Sequence, residues 1–239
     1  MPTNPTEPTA VYPLHDLIRA PYYREQAVQY ANYWAYRRNP NYYSFDQLGG
    51  DCTNFVSQAI YYAAGVMNYT PTYGWYYISL NNRSPSWTGV PYFWDFFTTN
   101  KGPGPYGHEV NLSEVKPGDV IQMAIKDPNT FGHTVLVTDL LSENPDTDSI
   151  IIAAHDRDSA FRPISTYSYY MIRALHIDGV RYLSAATDQR SEDGSQNTSS
   201  PAPDTSSEQV QPDMGETVPS QQQVSENDAE SYQEPPAVG

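Results

Sequence analysis

One cysteine, Cys52, occurs in 239 residues, so no disulfide can form within the chain. Basic residues are also scarce. Thirteen Lys and Arg stand against 28 Asp and Glu, for a formal charge of −15. No basic stripe is present, and no nucleic-acid partner is expected. No stretch approaches the roughly 20 apolar residues that cross a bilayer, so no membrane span is expected. The start, Met1-Pro2-Thr3-Asn4-Pro5, lacks the charged and apolar regions of a signal peptide. The expectation is a cytoplasmic chain or the mature form of a secreted or cell-wall protein. There is no internal repeat and no glycine loop for phosphate. No His, Cys, Asp or Glu cluster has metal-ligand spacing. Neither a metal nor another cofactor is expected.

The scarcity of basic and large apolar residues is greatest at one end. Residues 186–239 contain no Ile or Leu and one aromatic residue, Tyr232. Eleven acidic residues and one basic residue, Arg190, give this segment −10 of the −15, leaving −5 for residues 1–185. Such a composition cannot bury enough apolar surface to offset chain entropy, which predicts a disordered acidic tail. The organisation expected is an extended lead-in over 1–19, one folded domain over 20–185 and the tail over 186–239.

Within the domain, Tyr23, Ala27, Tyr30, Ala31 and Trp34 predict a helix that opens near Pro21 and has Arg37 and Arg38 in its last turn. Asp51 is placed to cap a second helix, Cys52 to about Ala64. Its apolar stripe is Phe55, Val56, Ala59, Ile60 and Ala63, and Gly65 is its stop. Residues 68–107 read as loop with a short helix near Tyr92–Thr98. Strands follow at Asp119–Ala124, His133–Asp139, Ser149–His155, Tyr169–Leu175 and Val180–Leu183. Helices followed by consecutive strands predict an α+β domain, N-terminal helices packed on an antiparallel sheet.

A lone cysteine is more often a buried apolar thiol than a reactive one. Cys52, however, sits at a helix start after Gly49-Gly50-Asp51, where free N–H groups and the helix dipole favour an anion and would lower a thiol pKa. A cysteine nucleophile needs a histidine to take and return its proton. His15, His108 and His176 read as surface or packing residues, His108 in a glycine-rich loop. His133 opens a strongly apolar strand after Gly132. If Asp139 pairs with Ser149 across an antiparallel ladder, His133 falls opposite His155, on the same face. His155 is then placed to orient His133, with Asp156, pointing to the other face, as its competitor.

Gly49-Gly50-Asp51-Cys52-Thr53-Asn54-Phe55-Val56-Ser57-Gln58 resembles the nucleophile motif of the bacterial putative amidase domain family. Lys116-Pro117-Gly118-Asp119-Val120-Ile121, Gly132-His133-Thr134-Val135-Leu136-Val137-Thr138 and the strand-ending His155-Asp156 resemble its second half. The family is related to the NlpC and CHAP hydrolases. The resemblance therefore implies a papain-like fold over residues 20–183, a catalytic set Cys52, His133 and His155, and hydrolysis of an amide or peptide bond through an acyl-enzyme. Oxyanion support falls to the Cys52 N–H, with Asp51 and its surroundings as second donor and Asp156 as a supporting residue. Gln47 does not match the spacing of papain's upstream glutamine. The expected partner is a peptide or a peptidoglycan fragment, and the expected state a monomer. Acyl transfer at the same Cys-His site, or a non-catalytic wall- or peptide-binding module, are the alternatives. Trp75, Tyr76, Tyr77, Trp87, Tyr92 and Trp94 read as core before they read as a binding platform. Asn54 and Gln58, four residues apart on one helix, are expected to hold neighbouring loops.

Overall fold

A computed structural model describes residues 17–184. In chain order these form β1 (Leu17–Ala20), α1 (Arg24–Trp34), α2 (Cys52–Ala64), β2 (Tyr77–Ser79), β3 (Asn82–Arg83), α3 (Pro85–Thr88), α4 (Val90–Thr99), β4 (Gly104–Val110), β5 (Val120–Ala124), β6 (His133–Leu140), β7 (Ile150–Ala154), β8 (Ser159–Pro163) and β9 (Met171–Leu183). His15 and the acidic tail lie outside the described residues.

One seven-stranded sheet carries the domain. Its order is β1-β9-β5-β6-β7-β8, with β4 also paired to β9, and every pairing is antiparallel. Strands β5 and β7 are buried at every position, as is β6 from His133 to Thr138. Buried runs of Val and Ile of this kind mark strands covered on both faces. Val120, Leu136, Ala153 and Leu175 face the helices, whereas Ile121, Val135, Val137, Ile150 and Ile152 join a second apolar cluster on the other face. The architecture is mixed α and β, a few helices against an antiparallel sheet, in agreement with the sequence pattern.

Helix α2 spans the expected residues. Gly65 ends it in the left-handed conformation (φ 68°), and its N–H donates to the Tyr61 carbonyl (2.8 Å), the stop that glycine permits without a Cβ penalty. The helix is buried well beyond its apolar stripe: Thr53, Asn54, Ser57 and Gln58 are buried as well. Each of these polar side chains is bonded. Thr53 Oγ1 lies 3.0 Å from Thr134 Oγ1, and Asn54 Oδ1 accepts from Trp87 Nε1 (2.8 Å). The Asn54 amide donates to the Tyr43 carbonyl, Ser57 Oγ donates to the Trp87 carbonyl, and Gln58 Oε1 accepts from the Tyr30 hydroxyl. Buried polar groups are tolerable only when paired in this way. Trp75 and Trp87 are fully buried core, as expected of them, while Tyr92 is exposed.

Several boundaries differ from the sequence reading. Helix α1 begins at Arg24 and ends at Trp34, short of Arg37 and Arg38. The two C-terminal strands are one, β9. His108 lies on β4 rather than in a loop, and its Nδ1 is 3.0 Å from Asp178 Oδ2. Leu17–Arg19, read as lead-in, pair with β9. Strands β4 and β1 have no apolar alternation of their own; tertiary pairing with β9 supplies their conformation.

The Lys116-Pro117-Gly118-Asp119 turn anchors helix to sheet. The Asp119 carboxylate, fully buried, accepts from Arg24 (2.5 Å), the Lys116 N–H (2.8 Å) and the Ile177 N–H (3.2 Å), and lies 2.9 Å from His176 Nδ1. Truncating one member of such a set strands the other charge. Asp119→Ala is therefore expected to cost about 3–5 kcal/mol in denaturant unfolding. A loss below 1 kcal/mol would show that the buried cluster does not hold α1 to the sheet.

Candidate active site

Three segments far apart in sequence converge at the start of α2. Cys52 is its first residue, His133 the first residue of β6, and Asp156 follows the end of β7. A ligating atom from each of the three side chains lies within 4.8 Å of the other two. Spacing along the sequence cannot reveal such a set, because each segment contributes one residue.

Asp156 arrives by a device that strand periodicity does not foresee. Strand β7 stops at Ala154, and Asp156 (φ 66°) and Arg157 (φ 119°) both take positive φ. Left-handed backbone is uncommon outside glycine and costs energy, which concentrates it at functional turns. The turn aims the Asp156 carboxylate at the helix start. Oδ1 accepts from the Asp51 N–H (2.7 Å) and Oδ2 from the Cys52 N–H (3.2 Å). A carboxylate bonded to the first N–H groups of a helix is stabilised by those donors and by the helix dipole. Gly50 (φ 117°) makes room for it, since a Cβ there would collide with the carboxylate. The Cys52 N–H, expected to be a free oxyanion donor, is thus occupied.

The strand register expected from Asp139 and Ser149 is not the one found. Asp139 pairs with Ile151, the ladder slips at Thr138, and Val137 then pairs with Ile152 and Leu136 with Ala153. Continued to the strand end, this register sets position 133 against 156. The extra residue at Thr138 is a β-bulge, which shifts every pair beyond it. His155 accordingly does not lie beside His133. It is buried and stacked on Phe55 (ring centroids 4.0 Å apart), with Nδ1 2.6 Å from Asp51 Oδ2 and Nε2 3.0 Å from the Trp34 carbonyl.

Asp51 occupies the N-cap position without capping through its side chain. Its fully buried carboxylate instead gathers the surrounding chain. Oδ1 accepts from the Phe45 N–H (2.7 Å) and the Asn54 amide (2.9 Å), and Oδ2 faces His155 and, at 3.7 Å, Arg38. The loop before the helix, the helix and the end of β7 therefore meet on one carboxylate.

Electrostatics at the site run opposite to the lowered thiol pKa expected at a helix start. Burial first, and then the nearby Asp156 carboxylate, push the Cys52 thiol up to about 12. Burial pushes His133 down to about 4; Asp156 opposes this, while Arg162, Arg157 and Lys126 add to it. Near neutral pH the thiol keeps its proton and the imidazole is neutral. His133 Nε2 is buried without a hydrogen-bond partner, an unsatisfied group of the kind that marks a working site. Beside this pair lies a cavity of about 660 Å³, walled by Gly49, Gly50, Ile125, Gly132, His133 and Tyr167.

The family model for the putative amidase domain matches residues 21–177, from the approach to α1 to the middle of β9. The chain belongs to the putative amidase domain family. Membership points to amide hydrolysis, and the matched segment contains Cys52, His133 and Asp156. Among curated proteins, the uncharacterized protein YhbB of Bacillus subtilis (strain 168) is 33% identical over 118 residues, which are 48% of this chain and 37% of that protein. The chain thus spans little more than a third of that relative's length. No solved structure matches the chain.

Because burial holds the thiol up to about 12, alkylation of Cys52 by iodoacetamide should rise about tenfold per pH unit from pH 7 to pH 10. Cys52 is the chain's one cysteine, so intact mass reads this rate without interference. A rate already level below pH 7 would mean that thiolate and imidazolium are formed at rest.

Proposed function

We propose that this protein is a cysteine amidohydrolase that cleaves an amide or peptide bond through an acyl-enzyme on Cys52, with His133 as general base and Asp156 as third member. The observation that carries the reading is the convergence of a thiol, an imidazole and a carboxylate within 4.8 Å at a helix start beside a cavity. A helix-borne cysteine facing a histidine at the start of an antiparallel strand also supports kinship with the papain-like NlpC and CHAP hydrolases. Peptidoglycan peptides are the substrate class that this kinship favours.

The resting geometry dictates the order of events. Thiol and imidazole begin neutral, so His133 takes the Sγ proton as sulfur attacks the carbonyl carbon. The tetrahedral oxygen then carries negative charge and needs donors. The Asp51 and Cys52 N–H groups are the donors at that point, but Asp156 holds both. Asp156 turns away as substrate enters, releases the two N–H groups and approaches the imidazolium, which its charge stabilises. His133 gives its proton to the leaving amine, and the C–N bond breaks. Water, deprotonated by His133, attacks the thioester, and the acid product leaves with Cys52 restored to the thiol. Asp156 then returns to the helix start. His155 acts through Asp51 as a positioning residue and takes no part in proton transfer.

The Cys52, His133 and Asp156 side chains are equally a three-ligand set of the kind that holds a divalent metal. Release of fragments from purified peptidoglycan, followed by mass spectrometry with and without EDTA, tests both chemistries. Cys52→Ala and His133→Ala are expected to abolish release, and EDTA to leave it unchanged. Asp156→Ala should lose turnover yet raise Cys52 alkylation, because the carboxylate that disfavours the thiolate is gone. His155→Ala should cost about 1–3 kcal/mol of stability, leaving the Asp51 carboxylate short of a partner. Full activity in Cys52→Ala, or loss of activity with EDTA, would overturn the cysteine mechanism.

A further inference from the structure

Two cationic side chains without bonded partners line the mouth of the cavity in an acidic chain. Four charged side chains besides Asp156 line it: Asp46, Lys126, Asp127 and Arg157. The two acids are already engaged. Both Asp46 oxygens accept from Arg38 (2.8 and 2.9 Å), and Asp127 accepts from the Asn129 N–H (2.9 Å) and the Thr130 hydroxyl (2.8 Å) within its own turn. The two bases are free. Neither Lys126 nor Arg157 forms a side-chain hydrogen bond or ion pair among the described residues. A third cation stands behind the wall: the Arg162 guanidinium lies 3.9 Å over the Tyr167 ring, and that ring is 5.5 Å from the ring of His133.

Position matters as much as number. Lys126 is carried by the connection between β5 and β6, on the approach to His133, and Arg157 directly follows Asp156. The two cations thus come from separate segments that converge on the cavity beside the thiol-imidazole pair. A cation without a bonded partner at a cavity mouth is open to a ligand of opposite charge. The acids of the mouth are held by other partners and bond to neither base. The whole chain carries 28 acidic against 13 basic residues, so two unpartnered bases at one cavity are not a consequence of overall composition.

We infer that the site selects an anionic substrate, an amide or peptide with a free carboxylate near the scissile bond, held between Lys126 and Arg157. This deepens the amidohydrolase reading and rests on it for the word substrate. The charge preference itself is testable without any turnover. Iodoacetate and iodoacetamide alkylate the same sulfur and differ in charge, so the ratio of their rates at Cys52 reads the local potential. Changes in thiol reactivity common to both reagents cancel in the ratio.

In the Lys126→Gln/Arg157→Gln double variant the iodoacetate-to-iodoacetamide ratio is expected to fall about fivefold, the scale of two solvent-exposed charge contacts. In the wild-type protein the ratio should fall as salt is raised from low to high ionic strength, because screening removes the attraction. A ratio that stays constant or rises in the double variant overturns the inference, whether or not any amide is cleaved. Conversely, a fallen ratio with no hydrolysis of peptidoglycan peptides would keep the anion preference and reject the amidohydrolase reading. On hydrolysis, peptides with free carboxylates should show lower KM than the same peptides amidated, and the double variant should erase that difference. Equal KM for both in the wild-type protein would also contradict the inference.

Discussion

An aspartate carboxylate seated on the first N–H groups of a buried helix organises this domain. Asp156 reaches the start of α2 from the far end of β7 and ties the sheet to the helix at the residue that carries the thiol. Asp51 does the same work from the helix side, holding the preceding loop, Asn54 and His155 on a second buried carboxylate. Two anions so close together are tolerable because one has the helix N–H groups and the other has its ring of donors. Glycine at position 50 is what lets the first of them approach.

From this arrangement the character of the site follows. Burial keeps the thiol and imidazole neutral at rest, and the resident carboxylate further disfavours the thiolate. A thiol held in this state is protected from casual oxidation and alkylation, since the thiolate is the reactive species. On the inference drawn above, Lys126 and Arg157 at the cavity mouth draw an anion toward a place where one carboxylate is already accommodated. On the proposed mechanism, reactivity is conditional on occupancy. The proposed gain is selectivity, obtained at the expense of a resting site that is not preorganised for the oxyanion.

The parts of this picture that are local in sequence could be read there. The stripe from Phe55 to Ala63 and the Gly65 stop suffice for the extent of α2, because periodicity and the glycine stop act within a few residues, whereas the side-chain cap expected of Asp51 is not made. The buried strands from Val120 to Ala154 announce themselves as apolar runs. What could not be read depended on one-residue offsets and on partners far away. Asp139 pairs with Ile151 instead of Ser149, an offset of two residues, and the bulge at Thr138 takes one back, so the register continued to the strand end sets position 156 rather than 155 against His133. The positive-φ turn at Asp156 suspends the strand alternation that had assigned it to the wrong face. Strand β4, rich in glycine and without alternation, is specified only by β9. A helix start by itself favours a thiolate; burial and the neighbouring Asp156 carboxylate, both set by distant segments, act against it here.

The most direct test is the structure of the protein bound to a peptide aldehyde, whose thiohemiacetal mimics the tetrahedral intermediate. The account predicts a covalent bond from Cys52 Sγ to the aldehyde carbon, its oxygen on the Asp51 and Cys52 N–H groups, and Asp156 turned toward His133. An aldehyde bound with Asp156 still on those N–H groups and the sulfur unmodified would contradict it.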